Sequence, residues 1–323
     1  MTSRIDFNRD WQFCKSSAEW PEDLMAEDNS MSEVILPHTW NADDMVVGDE
    51  HSPYVGAAWY MKRFRSPALA DGQRLLVEFE AVAMVSKVWV NGMYVGGRNG
   101  GFLGFRLDAT EALQPDGENV ILVRADNRHA VTAVAPRNLD WNRYGGIHRP
   151  VWLHVQNHAF LDYHGVRIRT PEVTGERATV AITTTMQETA LDGTDVTVQH
   201  LLLDPDGATV CNVETDMKLC YCRTGTHTVS LPAVAAPRLW SVDEPTLYTV
   251  KTQLLEGGRV LDSAENRIGF RYYRFDNNDG FVLNGKPVNA SGRQHPYLFP
   301  GAGLGPPGAV LRRGYEADEG YGL

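Results

Sequence analysis

Lys87-Val88-Trp89-Val90-Asn91-Gly92-Met93-Tyr94-Val95 sets Asn-Gly between two β-prone runs. A type I′ turn needs positive φ at both central residues, and Asn followed by Gly supplies it at the least steric cost. The stretch predicts a tight β-hairpin. Just upstream, Leu75, Val77 and Phe79 alternate with Leu76, Glu78 and Glu80, the period of two that predicts a half-buried strand. Further strands are predicted over 120–125 and 151–155, with Gly-rich and Pro-containing connections between them. No long run of helical periodicity interrupts the first 270 residues. Many short strands separated by turn signals predict an all-β sandwich, not an alternating α/β fold.

Past residues 156–165, where Gln156-Asn157-His158 closes the first series, the strand rhythm restarts. Strands are predicted over 178–184, 196–203, 208–213, 227–231 and 247–255, and Asp204-Pro205-Asp206-Gly207 has turn chemistry between two of them. This second region has the ~100 residues of an immunoglobulin-like sandwich. It lacks that fold's Cys-Trp-Cys pattern, so the expectation concerns architecture alone. From Asp276 the pattern changes again: Gly280-Phe281-Val282-Leu283-Asn284-Gly285-Lys286-Pro287-Val288 predicts another hairpin, followed by a Gly/Pro-rich stretch over 296–308. The segment from there to Leu323 is too short to bury a core of its own.

The 323 residues suffice for two domains and a fragment of a third. Hydrophobic residues make up 43% and charged residues 22%, values of a folded globular chain. The formal charge of −11 would repel a polyanion, which argues against nucleic acid as a partner. No apolar run has the length of a signal peptide or a membrane span, so the expectation is a cytoplasmic protein with no membrane partner. The four cysteines, Cys14, Cys211, Cys220 and Cys222, read as reduced structural thiols. Cys220, Cys222 and His227 do not have the spacing of a zinc site, and neither a metal nor a cofactor is expected.

An ordered series of motifs carries a resemblance. Pro37-His38-Thr39-Trp40-Asn41, Trp59-Tyr60, Val88-Trp89-Val90-Asn91-Gly92 and Gly145-Gly146-Ile147-His148-Arg149-Pro150-Val151-Trp152-Leu153 resemble the sugar-binding domain of family 2 glycoside hydrolases. The similarity continues through Leu239-Trp240-Ser241, Pro245-Thr246-Leu247-Tyr248 and Ile268-Gly269-Phe270-Arg271, and 281–287 is similar to the hairpin that opens the family's barrel. The resemblance implies a jelly-roll (galactose-binding-like) sandwich over 1–158, an immunoglobulin-like sandwich over 159–274, and the truncated start of a (β/α)₈ barrel over 275–323. Such a barrel needs ~250 residues.

Retaining hydrolysis requires one carboxylic acid to protonate the leaving oxygen and a second carboxylate ~5–5.5 Å away to attack the anomeric carbon. In the family both are glutamates on later barrel strands, one preceded by Asn. No Asn-Glu pair occurs in any barrel-like segment of this chain, and Glu265-Asn266 has the reverse order. The expectation is therefore a β-galactosidase-like glycosidase part that carries no catalytic residue and is inactive alone. By the resemblance, Asp140 in Asp140-Trp141-Asn142-Arg143 reaches toward the sugar in the barrel pocket, a task suited to a carboxylate because it accepts two hydroxyl hydrogen bonds. A turn-making Asp or an Asp140–Arg143 pair is the competing assignment. Trp141 would stack on a sugar face or fill a domain seam. His295, in Gly292-Arg293-Gln294-His295-Pro296, matches the family's Arg-His segment except that Gln294 intervenes, which leaves a solvated loop histidine as the other reading. His38 and Trp40 are expected to anchor a loop. The partner implied is a β-glycoside carbohydrate, with a homo-oligomer as a further possibility; a stand-alone carbohydrate-binding module and a purely structural sandwich are the alternative functions.

Overall fold

The computed structural model describes residues 3–27, 30–42, 54–115, 117–128, 144–221 and 224–288. The chain divides into two compact units, Ser3–Ala70 with Arg74–Val155 in one and Asp71–Gln73 with Gln156–Gln294 in the other.

The first unit contains β1 (Ser3–Asp6), β2 (Trp11–Lys15), helix α1 (Pro21–Ala26), β3 (Ser32–Val34), β4 (Ala57–Arg65), β5 (Arg74–Phe79), β6 (Val85–Val90), β7 (Met93–Asn99), β8 (Phe105–Asp108), β9 (Glu118–Asp126) and β10 (Val151–Gln156). They form a four-stranded sheet of order β1-β10-β5-β8 and a six-stranded sheet of order β3-β2-β4-β9-β6-β7. The core lies between the sheets. Leu75, Val77 and Phe79 of β5 and Val151 and Leu153 of β10 meet Tyr60, Val88, Val90, Ile121 and Val123 from the other sheet. Full burial of each large apolar side chain stabilises the fold by about 1.5–3 kcal/mol. The reverse face of the six-stranded sheet is apolar too, where Cys14, Trp59, Trp89 and Leu122 are covered by Ala18 and by Leu24 of α1.

The predicted hairpin is β6-β7. Asn91 has φ 49° and Gly92 φ 82°, the type I′ signature, with Val90 opposite Met93 and Trp89 opposite Tyr94. The predicted strand over 75–80 is β5, but it is buried on both faces. Leu76 and Glu78 are 5% and 6% exposed, and what makes a buried Glu tolerable is its partners. Glu78 Oε2 lies 2.8 Å from Arg106 Nε and 2.7 Å from His154 Nε2. Burial alone would raise this carboxyl, but His154 and Arg106 outweigh it and hold Glu78 down at about 2.

The second unit contains β11 (Ala159–Arg169), β12 (Arg177–Ala178), β13 (Ala181–Glu188), β14 (Thr194–Leu203), β15 (Thr209–Leu219), β16 (Gly225–Ser230), β17 (Val234–Ala235), β18 (Tyr248–Glu256), β19 (Arg259–Ile268), β20 (Tyr273–Asp276), β21 (Gly280–Leu283) and β22 (Lys286–Pro287). Its sandwich pairs the sheet β11-β13-β16 with the sheet β15-β14-β18-β19. The Asp204–Gly207 turn is made, with the Gly207 N–H donating to Asp204 O at 3.0 Å. The strand predicted over 178–184 is divided, since Ala178 pairs with Val234 in the small β12-β17 sheet and β13 begins at Ala181. Sequence periodicity left β11 and β19 unassigned. Each carries a register shift, between Leu161 and Val166 on β11 and between Val260 and Asp262 on β19, and a bulge interrupts the period-two pattern.

The predicted hairpin over 280–288 is β21-β22, turning on Asn284 at φ 50° and Gly285 at φ 80°, and it continues a three-stranded sheet with β20. A barrel remnant is not shown among the described residues, and 289–323 lie outside them. Among the described residues no helix is long and apolar enough to cross a membrane.

Candidate functional site

Asp140 and Trp141, and likewise His295, lie outside the described residues. What the structure places is the backbone on both sides of 129–143. On one side β9 ends in Asp126-Asn127-Arg128; on the other the chain resumes at Tyr144-Gly145-Gly146.

The two flanks meet at one side chain. Asn41 Oδ1 accepts from the Gly145 N–H at 2.9 Å and faces Asn127 Nδ2 at 3.5 Å. Both asparagines are fully buried. Asn127 is itself held by a reciprocal pair, the Gly56 N–H donating to Asn127 Oδ1 at 2.8 Å and the Asn127 N–H to Gly56 O at 3.1 Å. The Tyr54 carbonyl then accepts from Asn41 Nδ2, Asn127 Nδ2 and Trp40 Nε1 at 3.1, 3.1 and 3.3 Å. Neutral amides suit this place, because they satisfy several buried backbone groups without a charge to desolvate.

The glycines explain the close approach. A Cβ on Gly145 would fall 1.8 Å from Trp40 Cζ2. Gly146 has φ 119°, and a Cβ there would meet Tyr60 Oη at 2.5 Å and His38 O at 2.6 Å. His38 and Trp40 do anchor this region: the His38 N–H donates to Ile147 O at 2.8 Å, and His38 Nδ1 shares a hydrogen bond with Tyr60 Oη at 2.8 Å.

The titratable groups here are held in fixed states. Burial, with a smaller contribution from Lys15, lowers the His38 pKa to about 4. Burial also lowers His148 to about 4, against an opposing hydrogen bond from the Gly146 backbone. Both imidazoles are neutral near pH 7. Burial would raise Asp126, but Arg128 and Arg124 reverse the shift and keep it ionised. Groups locked in this way position a backbone; none of them is poised near neutral pH to exchange a proton during a reaction. Among the described residues no group of three or more metal-ligating side chains comes together.

Sequence reading recognised Asn41 as part of a motif and missed Asn127 altogether. Its signal was present: Asp126-Asn127-Arg128 is a polar triplet directly after a buried strand, where a side chain must satisfy the backbone as the sheet ends.

Residues 14–157 match the sugar-binding domain of glycosyl hydrolases family 2, and residues 164–271 match a second domain of glycosyl hydrolases family 2. Together the two matches cover well over half of the chain, in the order the motifs implied.

The chain belongs to glycosyl hydrolase family 2.

Within the family it is similar to a β-galactosidase of Bacteroides ovatus, with 30% identity over 90% of this chain and 34% of that protein. A β-glucuronidase of Formosa agariphila is 27% identical over 93% of this chain and 33% of its own length. Among solved structures, the β-glucuronidase of Bacteroides uniformis superposes with a TM-score of 0.89 at 27% identity, covering 98% of this chain and 38% of that one. The chain thus spans between a third and two fifths of the length of these family members.

Proposed function

We propose that this chain is the leading, non-catalytic part of a retaining family 2 glycosidase acting on β-galactosides or related β-glycosides, with its catalytic glutamates on a barrel outside residues 1–323. The observation that carries this reading is the clamp on Asn41. The described chain on either side of 129–143, at Asn127 and Gly145, is held by buried hydrogen bonds to one side chain, which supports a role for the intervening residues in presenting a side chain to a neighbouring pocket. Asp140 would accept sugar hydroxyls, Trp141 would stack on the ring, and His295 would contribute a further contact. The chain would divide at 1–158, 159–274 and 275–323. Tyr273 and Phe275 are 63% and 77% exposed on the β20-β21-β22 sheet, which supports that sheet as the face on which the barrel begins. A carbohydrate is the partner, and the location is cytoplasmic.

The test is a fluorogenic assay with aryl β-galactoside and aryl β-glucuronide. The 323-residue chain should release no aglycone, and a version extended through a family 2 barrel should release it. Asp140→Ala in the extended protein should lower kcat/KM. Turnover that copurifies with the short chain, and falls on Asp140→Ala, would overturn the reading.

A further inference from the structure

The interior of the second unit is not continuous oil. Its inward-facing residues form two apolar clusters, one around Ile182, Leu202, Val250 and Phe270 and the other around Met186, Val198, Leu254 and Leu261, bridged by the half-buried Val166. Between the clusters each central strand turns one polar residue inward: Thr184 on β13, His200 on β14 and Thr252 on β18. Register completes the row. Thr184 pairs with Val166 of β11 and His227 of β16, while His200 pairs with Val213 of β15 and Thr252, which pairs with Ala264 of β19. The His200 and His227 rings stack, with centroids 6.2 Å apart and planes inclined by 9°.

Thr184, His200 and Thr252 are all fully buried. His200 Nδ1 and Thr252 Oγ1 share a hydrogen bond at 3.0 Å, but His200 Nε2, His227 Nδ1 and Thr184 Oγ1 have no partner within the protein. Val or Leu at these positions would join the two clusters into one core, so the row is costly for stability alone.

No carboxylate lies in the row to hold an imidazolium. His227 is the only other titratable group in it. Two register pairs away are Cys211 on β15 and Asp262 on β19, and the Asp262 carboxylate accepts from the Leu161 and Ser263 N–H groups at 3.0 and 2.9 Å. Glu214, Lys251 and Glu265 are neighbours along the same strands, but they alternate to the opposite, solvent-facing side.

We propose that this histidine–threonine row is an acid-sensitive joint, closed while the buried His200 imidazole is neutral and opened when the interior is required to take up a proton. Burial, and after it the neighbouring His227, lowers the His200 pKa to about 4, against about 6.5 for an unfolded histidine. Between those values the unfolded chain binds a proton that the folded chain refuses. The row's contribution to stability is therefore complete above about pH 6.5 and is lost as pH falls toward 4. The fully buried members of the two clusters do not overlap, and the row lies between them with Val166 packed against both. This joint is independent of the glycosidase reading.

The experiment compares the full chain with its His200→Leu, Thr252→Val double variant by chemical denaturation between about pH 7.5 and 4.5. His38 and His148 of the first unit are present in both proteins and cancel in the comparison. The unfolding constant of the unchanged chain should rise at least about tenfold relative to the variant's between pH 7 and 5. Parallel pH profiles would overturn the proposal. Should the variant not fold, ¹⁵N imidazole spectra of the unchanged chain decide the matter: His200 should remain neutral in the folded protein at about pH 5.5, and a His200 that titrates near 6.5 would refute the joint.

Discussion

Gly145 and Asn41 hold the chain that flanks 129–143, and they do so by different physics. Gly145→Ala forces a methyl into the Trp40 ring at 1.8 Å, so the ring or the backbone must move. We expect a loss of about 1–3 kcal/mol, or more, from overpacking. Asn41→Ala removes the acceptor of the Gly145 N–H and leaves that buried donor unsatisfied, at a cost of about 1–3 kcal/mol. Urea denaturation of the two variants checks both figures, and a neutral result for Gly145→Ala would mean that Trp40 is not packed as described. Glu78 supplies a pH test. Its pKa in the fold is about 2, below the ordinary 4.5, so its contribution is full above about pH 4.5 and disappears as pH falls through 2. Glu78→Gln should therefore destabilise the chain at pH 6 by roughly 2–3 kcal/mol. The difference from the unchanged chain should vanish toward pH 2, as read from denaturation midpoints.

At the scale of the element, the β6-β7 hairpin separates the two tasks of an Asn-Gly turn. A Cβ on Gly92 meets nothing within 4 Å, so Gly92→Ala bears only the cost of a positive φ, about 1 kcal/mol. Asn91 also donates to Ala112 O and Asn119 Oδ1 at 2.8 Å each and accepts from the Val120 N–H at 2.9 Å. Asn91→Ala should accordingly be the more damaging change, by about 1 kcal/mol or more. Thermal melts of the pair give the order directly, and the reverse order would exclude the Asn91 bonds as a stabilising factor. The hairpin was legible because turn chemistry is local. The burial of both faces of β5 was not, because Arg106 and His154 that neutralise Glu78 come from β8 and β10, far along the chain.

For the whole molecule, each unit has its own buried clusters and only one short α-helix occurs among the described residues. Far-ultraviolet circular dichroism should be dominated by strand, and a helical spectrum would contradict the architecture. The first unit joins sheets of four and six strands and the second joins sheets of three and four. Gly145→Ala should leave amide-exchange protection in β13, β14 and β18 unchanged while lowering it in β4 and β9, since sites in separate cores do not share partners.

The sequence by itself determined the fold class, the Asn-Gly hairpins and the family, because strand alternation, turn residues and ordered motifs are all read along the chain. It also placed Asp140, Trp141 and His295 as candidate sugar contacts on the strength of the resemblance alone. Tertiary structure decided what no spacing displays. It brought Asn41 against Gly145 and Asn127, and it aligned Thr184, His200, Thr252 and His227 in one row across two sheets. Each of those His and Thr residues occupies an ordinary inward position in its own strand. Only strand register, fixed by pairing between segments distant in sequence, makes them a common layer.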